Sequence, residues 1–93
     1  AAAKAAGVQL AKSIALELAP KGIRANVISP SFMVTDLTAG VSSKTRKLAA
    51  AQSPLRRLTE VDEIAGALAF LASDRSAYIN GHDLVIDGGR TMT

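Results

Sequence analysis

The chain has 93 residues, a net charge of +3 and 48% apolar residues, but 18 of those are Ala, leaving 27 larger apolar side chains for a core. That is a thin core in a chain below the usual domain size of roughly 100–150 residues. It predicts one domain at most, as part of something larger or of an oligomer. With no Cys and a single His, disulfide staples and thiolate or His-based metal sites are excluded, and a reducing, cytoplasmic setting is expected. No apolar run approaches the roughly 18 residues of a membrane span, and no secretory signal pattern is present. The modest charge and three aromatic residues do not favour nucleic-acid binding.

The opening AAAKAAGVQLAKSIALELAPKG has helical spacing from its first residue. No Ser, Thr, Asp or Asn precedes it as a cap, so Ala1 is expected to lie inside a helix that begins upstream. Pro20, Lys21 and Gly22 form its stop signal. Val8, Ala11, Ala15 and Leu18 share one stripe, and Lys4 lies in line with them. A Lys so placed either snorkels to water or has a buried task.

Residues Ile23 to Ser29 read IRANVIS, a short β-branched run with apolar groups on both faces. This pattern predicts a strand buried in a parallel sheet. Asn26, a polar residue inside that run, is expected to bond a neighbouring loop. Residues 30–59 read as a long connection, with a weakly helical stretch from Val41 to Gln52. Between Leu37 and Thr59 lie five basic residues, Lys44, Arg46, Lys47, Arg56 and Arg57, and no acid. They form either a solvated surface or an attraction for an anionic ligand or acidic partner.

Thr59 is expected to cap a second helix whose first turn carries Glu60 and Asp62. Val61, Ile64, Ala65, Leu68, Leu71 and Ala72 form its predicted apolar stripe, and Ser73 and Asp74 end it. Asn80 and Gly81 then make a turn, His82 to Ile86 a second strand, and Asp87, Gly88 and Gly89 follow. Tyr78, in the loop after the helix, is expected to pack. The order helix, strand, lid helix, helix, strand predicts an α/β fold with a parallel sheet.

Four segments in this order resemble the short-chain dehydrogenase/reductase family over the whole chain. AAAKAA is similar to the end of its Tyr-x-x-x-Lys motif, with Lys4 as the Lys. Asn26 to Thr35 (NVISPSFMVT) is similar to its strand and Pro-Gly-x-x-x-Thr loop beside the nicotinamide. The third segment is Pro54-Leu55-Arg56-Arg57 with the helix ending Phe70-Leu71-Ala72-Ser73; the fourth runs from Asn80-Gly81 to Asp87-Gly88-Gly89. The branch that looks closest is the 3-oxoacyl-[acyl-carrier-protein] reductase-like group.

The resemblance implies that residues 1–93 are the C-terminal part of a doubly wound, Rossmann-like domain with a substrate lid at about 36–58. It implies NAD or NADP as cofactor and a carbonyl or alcohol substrate, with acyl-carrier-linked compounds among the candidates. A homodimer or homotetramer is implied for the full-length form. Lys4 would hold the nicotinamide ribose and lower the pKa of a Tyr four residues before it. Such a cation favours phenolate and brings a group of reference pKa near 10 towards working pH. Pro30, Ser31, Met33 and Thr35 would contact the nicotinamide, Met33 through its backbone and Thr35 through its hydroxyl. The Tyr position immediately precedes Ala1, and the glycine-rich phosphate turn that would hold the dinucleotide does not occur within the 93 residues. The chain alone is therefore expected to be inactive. The alternative is a non-catalytic assembly piece or one that binds an acidic partner. Ser31 departs from the family's Gly, so its backbone must stay out of the left-handed region.

Overall fold

The computed structural model describes residues 2–31, 33–34 and 42–92. Helix α1 covers Ala2–Leu18, and a 3-10 turn over Ala19–Lys21 follows. Gly22 then adopts φ 75 and its N–H donates to the Ala19 carbonyl, as the Pro-Lys-Gly stop signal predicts. On α1, Ala15 is buried and Val8, Ala11 and Leu18 are half-buried, while the rest of the helix is exposed. The predicted stripe is thus the side that packs.

Strand β1 spans Val27–Pro30, four residues later than the β-branched run begins. The reason lies in Arg24 and Asn26. Arg24 donates to the carbonyls of Leu71 (2.9 Å), Ile79 (3.1 Å) and Ser73 (3.3 Å). Asn26 donates to the Ile79 carbonyl at 3.0 Å and accepts from the His82 N–H at 2.9 Å. These side chains tie residues 23–26 to a neighbouring loop before the strand ladder starts, and Asn26 does what its position predicts. Strand β4, Asp83–Ile86, pairs with β1. Val27 N–H donates to His82 and Ser31 N–H to Ile86, at 2.8 and 3.0 Å. The two bonds advance together along both segments, so the pair is parallel.

The connection between β1 and the second long helix holds more structure than its sequence suggests. Strand β2, Met33–Val34, pairs in parallel with β3, Thr59–Glu60, in the register Met33↔Thr59 and Val34↔Glu60. Between them lies α2, Ser43–Ala51, where the weak helical stretch is predicted. Ser42 caps it, its hydroxyl accepting from Thr45 N–H at 3.2 Å.

Helix α3 spans Val61–Ala72. Thr59 lies in β3 and is not its cap. Instead Glu63, in the first turn, accepts the Glu60 N–H at 2.9 Å, the return half of a capping box. Its packed line is Ile64, Ala67 and Leu71, with Val61, Ala65, Leu68 and Ala72 exposed. The predicted stripe was too wide, and it missed Ala67. Tyr78 does not pack either; it is fully exposed.

The chain divides into two compact units, Ala1–Ile28 with Leu68–Leu84, and Ser29–Ala67 with Val85–Thr93. Ala15 and Leu71, the buried apolar side chains among the described residues, belong to the first. Ser76 is 1% exposed there, its hydroxyl bonded to the carbonyls of Leu71 and Ser73. In the second unit Ser53 is buried instead. Its hydroxyl donates to the Gly88 carbonyl and accepts from Leu55 N–H, both at 3.2 Å. Gly88 has φ 63, and a Cβ there would collide with the Ser53 side chain, so close approach and backbone angle both require glycine.

Candidate functional site

In open α/β sheets, ligands bind outside the carboxyl ends of parallel strands. In the second unit those ends are Pro30–Ser31 after β1 and Asp87–Gly88 after β4. Pro30 closes β1, and the Ser31 N–H holds the Ile86 carbonyl. Both residues are half-buried. Among the described residues, Arg56 is the non-glycine with positive φ, so Ser31 keeps an ordinary backbone and meets the condition its departure from Gly imposes. Met33 belongs to β2, whose partner strand among the described residues is β3. Thr35 and the first residues of the 36–58 segment lie outside the described residues.

Lys4 lies in the first turns of α1, exposed, in line with the packed stripe. It belongs to the first unit, while Pro30, Ser31 and Met33 belong to the second. Within the second unit the structure brings Pro30, Ser31 and Met33 together at the end of β1 and the start of β2.

A cavity of about 80 Å³ opens beside Ser31, bounded by Leu55, Arg57, Thr59, Glu63, Ile86 and Gly88. Ligand pockets run to roughly 300–1,000 Å³, so this space suits ordered water rather than a cofactor ring. Its wall is a charged clamp. Arg57 donates two parallel bonds to Glu63, at 2.6 and 2.8 Å. Hydrogen bonds from Arg57, and then from the Glu60 N–H, hold the Glu63 carboxyl at about 2, below its ordinary 4.5. The same bond raises Arg57. Asp87, after β4, accepts Gly89 N–H and Thr91 N–H, each at 2.9 Å; the Thr91 hydroxyl first, and then these N–H bonds, lower its pKa. Glu63 and Asp87 are thus firmly ionised anchors that fix the loops around Ser31, and they are poor proton carriers near neutral pH. The sequence did not single them out for this role, although Glu63 three residues after Glu60 carries the spacing of a capping box.

Four of the five basic residues between Leu37 and Thr59 gather at one place. Arg46, Lys47, Arg56 and Arg57 line one cleft of about 460 Å³ between α2 and β3, with Glu60 on its rim. Lys44 is not among its lining residues. Among the described residues no group of three His, Cys, Asp or Glu could hold a metal ion. None of the described helices is long and apolar enough to cross a membrane.

Taken singly, the Lys4 amine of the first unit is a donor of the kind that suits ribose hydroxyls, and the Ser31 hydroxyl of the second is one that suits a carboxamide.

A family model described as enoyl-(acyl carrier protein) reductase matches residues 1–91. The chain is 48% identical over 92 residues to a 3-oxoacyl-[acyl-carrier-protein] reductase, FabG, of Escherichia coli strain K12, covering 99% of the chain and 38% of that protein. It is 42% identical over 90 residues to a cis-4-hydroxycyclohexanecarboxylate dehydrogenase of Sinomonas cyclohexanicum, covering 97% of the chain and 36% of the relative. Among solved structures, a short chain dehydrogenase family protein from Francisella tularensis superposes with a TM-score of 0.88 at 36% identity, over 97% of this chain and 42% of that one. A short-chain type dehydrogenase/reductase from Mycobacterium marinum superposes with a TM-score of 0.88 at 41% identity, over 97% and 35%. The chain therefore spans well under half the length of these relatives.

Proposed function

Because this chain belongs to the short-chain dehydrogenase/reductase family, in the likeness of its 3-oxoacyl-[acyl-carrier-protein] reductases, we propose that it is the C-terminal portion of an NAD(P)-dependent oxidoreductase. The cofactor, NAD or NADP, supplies hydride transfer at its nicotinamide to or from a carbonyl or alcohol carbon. In this reading Lys4 holds the nicotinamide ribose and keeps a neighbouring phenol acidic enough to move the carbonyl proton. Pro30 and Ser31 would contact the nicotinamide, Met33 through its backbone would bind the carboxamide, and Thr35 would contribute its hydroxyl. Residues 36–58 form the lid over the substrate, for which an acyl-carrier-linked carbonyl compound is one candidate.

The observation that supports this best is local. Pro30, Ser31 and Met33 meet at the carboxyl end of a parallel strand, within a chain matched from residue 1 to 91. The full-length protein is proposed to act as a homodimer or homotetramer in the cytoplasm. Exposed Leu10 and Leu16 on α1, and Leu68 and Phe70 on α3, supply apolar surface for such contacts. The same surface favours a second reading, in which these 93 residues serve assembly alone.

The two readings separate in one assay of nicotinamide oxidation with a 3-oxoacyl thioester. The full-length protein is expected to consume NADH or NADPH, and the isolated 93-residue chain to consume neither. Failure of the full-length protein with both cofactors and a panel of ketones overturns the oxidoreductase reading. Turnover by the isolated chain overturns its predicted inactivity.

A further inference from the structure

We propose that the cleft between α2 and β3 is a phosphate-binding site, built by Arg46, Lys47 and Arg56. Three observations meet there. First, four cations line one cleft of about 460 Å³. Arg57 is already paired with Glu63, and Glu60 stands on the rim, so the remaining charges leave the cleft about two positive charges in excess. That balance suits a phosphate dianion.

Second, the Nε of Arg46 is shielded from solvent and has no hydrogen-bond partner. An unpaired donor on a charged group is costly to shield. Arg46 lines the cleft, and a guanidinium beside a phosphate forms charge-assisted bonds, so an anion there would offset the charge of this partly shielded group.

Third, Arg56 has φ 59. A residue with a Cβ is strained in that region, and such strain is found where the local structure has a task. The turn is closed by Arg56 N–H donating to the Ser53 carbonyl at 2.8 Å. Glycine would make that turn without strain. The arginine there places a cation on the cleft wall, its guanidinium only weakly engaged with the Ala51 carbonyl at 3.4 Å. Strain and charge placement thus share one residue.

The site lies within the proposed lid but does not depend on the oxidoreductase reading, because its test reads binding and not turnover. The probes are inorganic phosphate and phenyl phosphate, titrated into the intact protein and followed by phosphorus NMR line broadening, with chloride holding ionic strength constant. Saturable binding is expected. Tighter binding of phenyl phosphate identifies a phosphoester terminus as the ligand, and equal binding identifies free phosphate. Arg56→Gly is the decisive variant: it should raise Tm by about 2–4 °C by relieving strain while weakening phosphate about tenfold. Arg46→Gln should weaken binding similarly. Lys44→Gln, which removes an equal charge from α2 outside the cleft, should leave it unchanged. Absence of saturation, unchanged affinity in Arg56→Gly, or equal losses in all three variants overturns the proposal, the last by reducing it to general charge attraction.

Discussion

The two units are held by different chemistry. In the first, Ala1–Ile28 with Leu68–Leu84, neutral amides and one guanidinium reach across long sequence separations to backbone carbonyls. Arg24 bonds Leu71, Ser73 and Ile79, Asn26 bonds Ile79 and His82, and Asn80 bonds Ala25 N–H and the Ala15 carbonyl. In the second, Ser29–Ala67 with Val85–Thr93, carboxylates join the fastenings: the Arg57–Glu63 clamp and the Asp87 turn stand beside the neutral Ser53 anchor on Gly88. Among the described residues, the groups with a resolved pKa shift, Arg57, Glu63 and Asp87, belong to the second unit. A scaffold tied by carbonyl bonds is indifferent to pH and salt, whereas one tied by exposed ions is not. The residues proposed to meet the nicotinamide ring and the substrate sit on the more sensitive unit.

That contrast can be broken at graded cost in the full-length protein. Arg24→Ala should be the most damaging change, about 2–4 kcal/mol in denaturant unfolding, because three carbonyls lose a charged donor. Arg24→Lys should recover little, since a point charge cannot serve three divergent acceptors. A loss below about 0.5 kcal/mol for Arg24→Ala would show that the network does not hold the first unit. Ser53→Ala should cost about 1–2 kcal/mol, as Leu55 N–H and the Gly88 carbonyl lose their shared partner.

Glu63→Gln should be the mildest change near neutral pH and the most informative in acid. The folded carboxyl titrates at about 2 against an ordinary 4.5, so its contribution is fully present above 4.5 and is lost as pH falls towards 2. Unfolding curves of Glu63→Gln should therefore decline less steeply with acid over that window than those of the parent. Parallel curves would remove Glu63 from the account. Added salt should narrow the gap between the two proteins at neutral pH, because the pair is exposed.

Legibility from sequence follows the same division. Helix α1 was readable because its stripe repeats over about three turns and Pro20 and Gly22 punctuate its end. Asn26 was readable as a polar residue with one structural task. Strand β1 started late because Arg24 and Asn26 make side-chain bonds that no periodicity reports. The β2–β3 pair was invisible, since two residues carry no period. Thr59 looked like a cap because Thr before an acidic turn commonly is one, but strand pairing claimed its backbone and Glu63 took the capping role. At the candidate site, Pro30, Ser31 and Met33 were singled out through the family resemblance, and their role towards a cofactor is a proposal. The convergence of Arg46, Lys47, Arg56 and Arg57 was not legible, because eight residues of chain separate two pairs that only the fold brings to one cleft.

The central claim is that Lys4 and the residues at the end of β1 serve nicotinamide chemistry. Steady-state kinetics of the full-length Lys4→Ala protein, with nicotinamide cofactor and ketone each varied, tests it most directly. The account predicts a fall in kcat of about 10²-fold or more, a raised KM for the cofactor and an unchanged Tm, since Lys4 is exposed. Near-parental kcat and cofactor KM would contradict it.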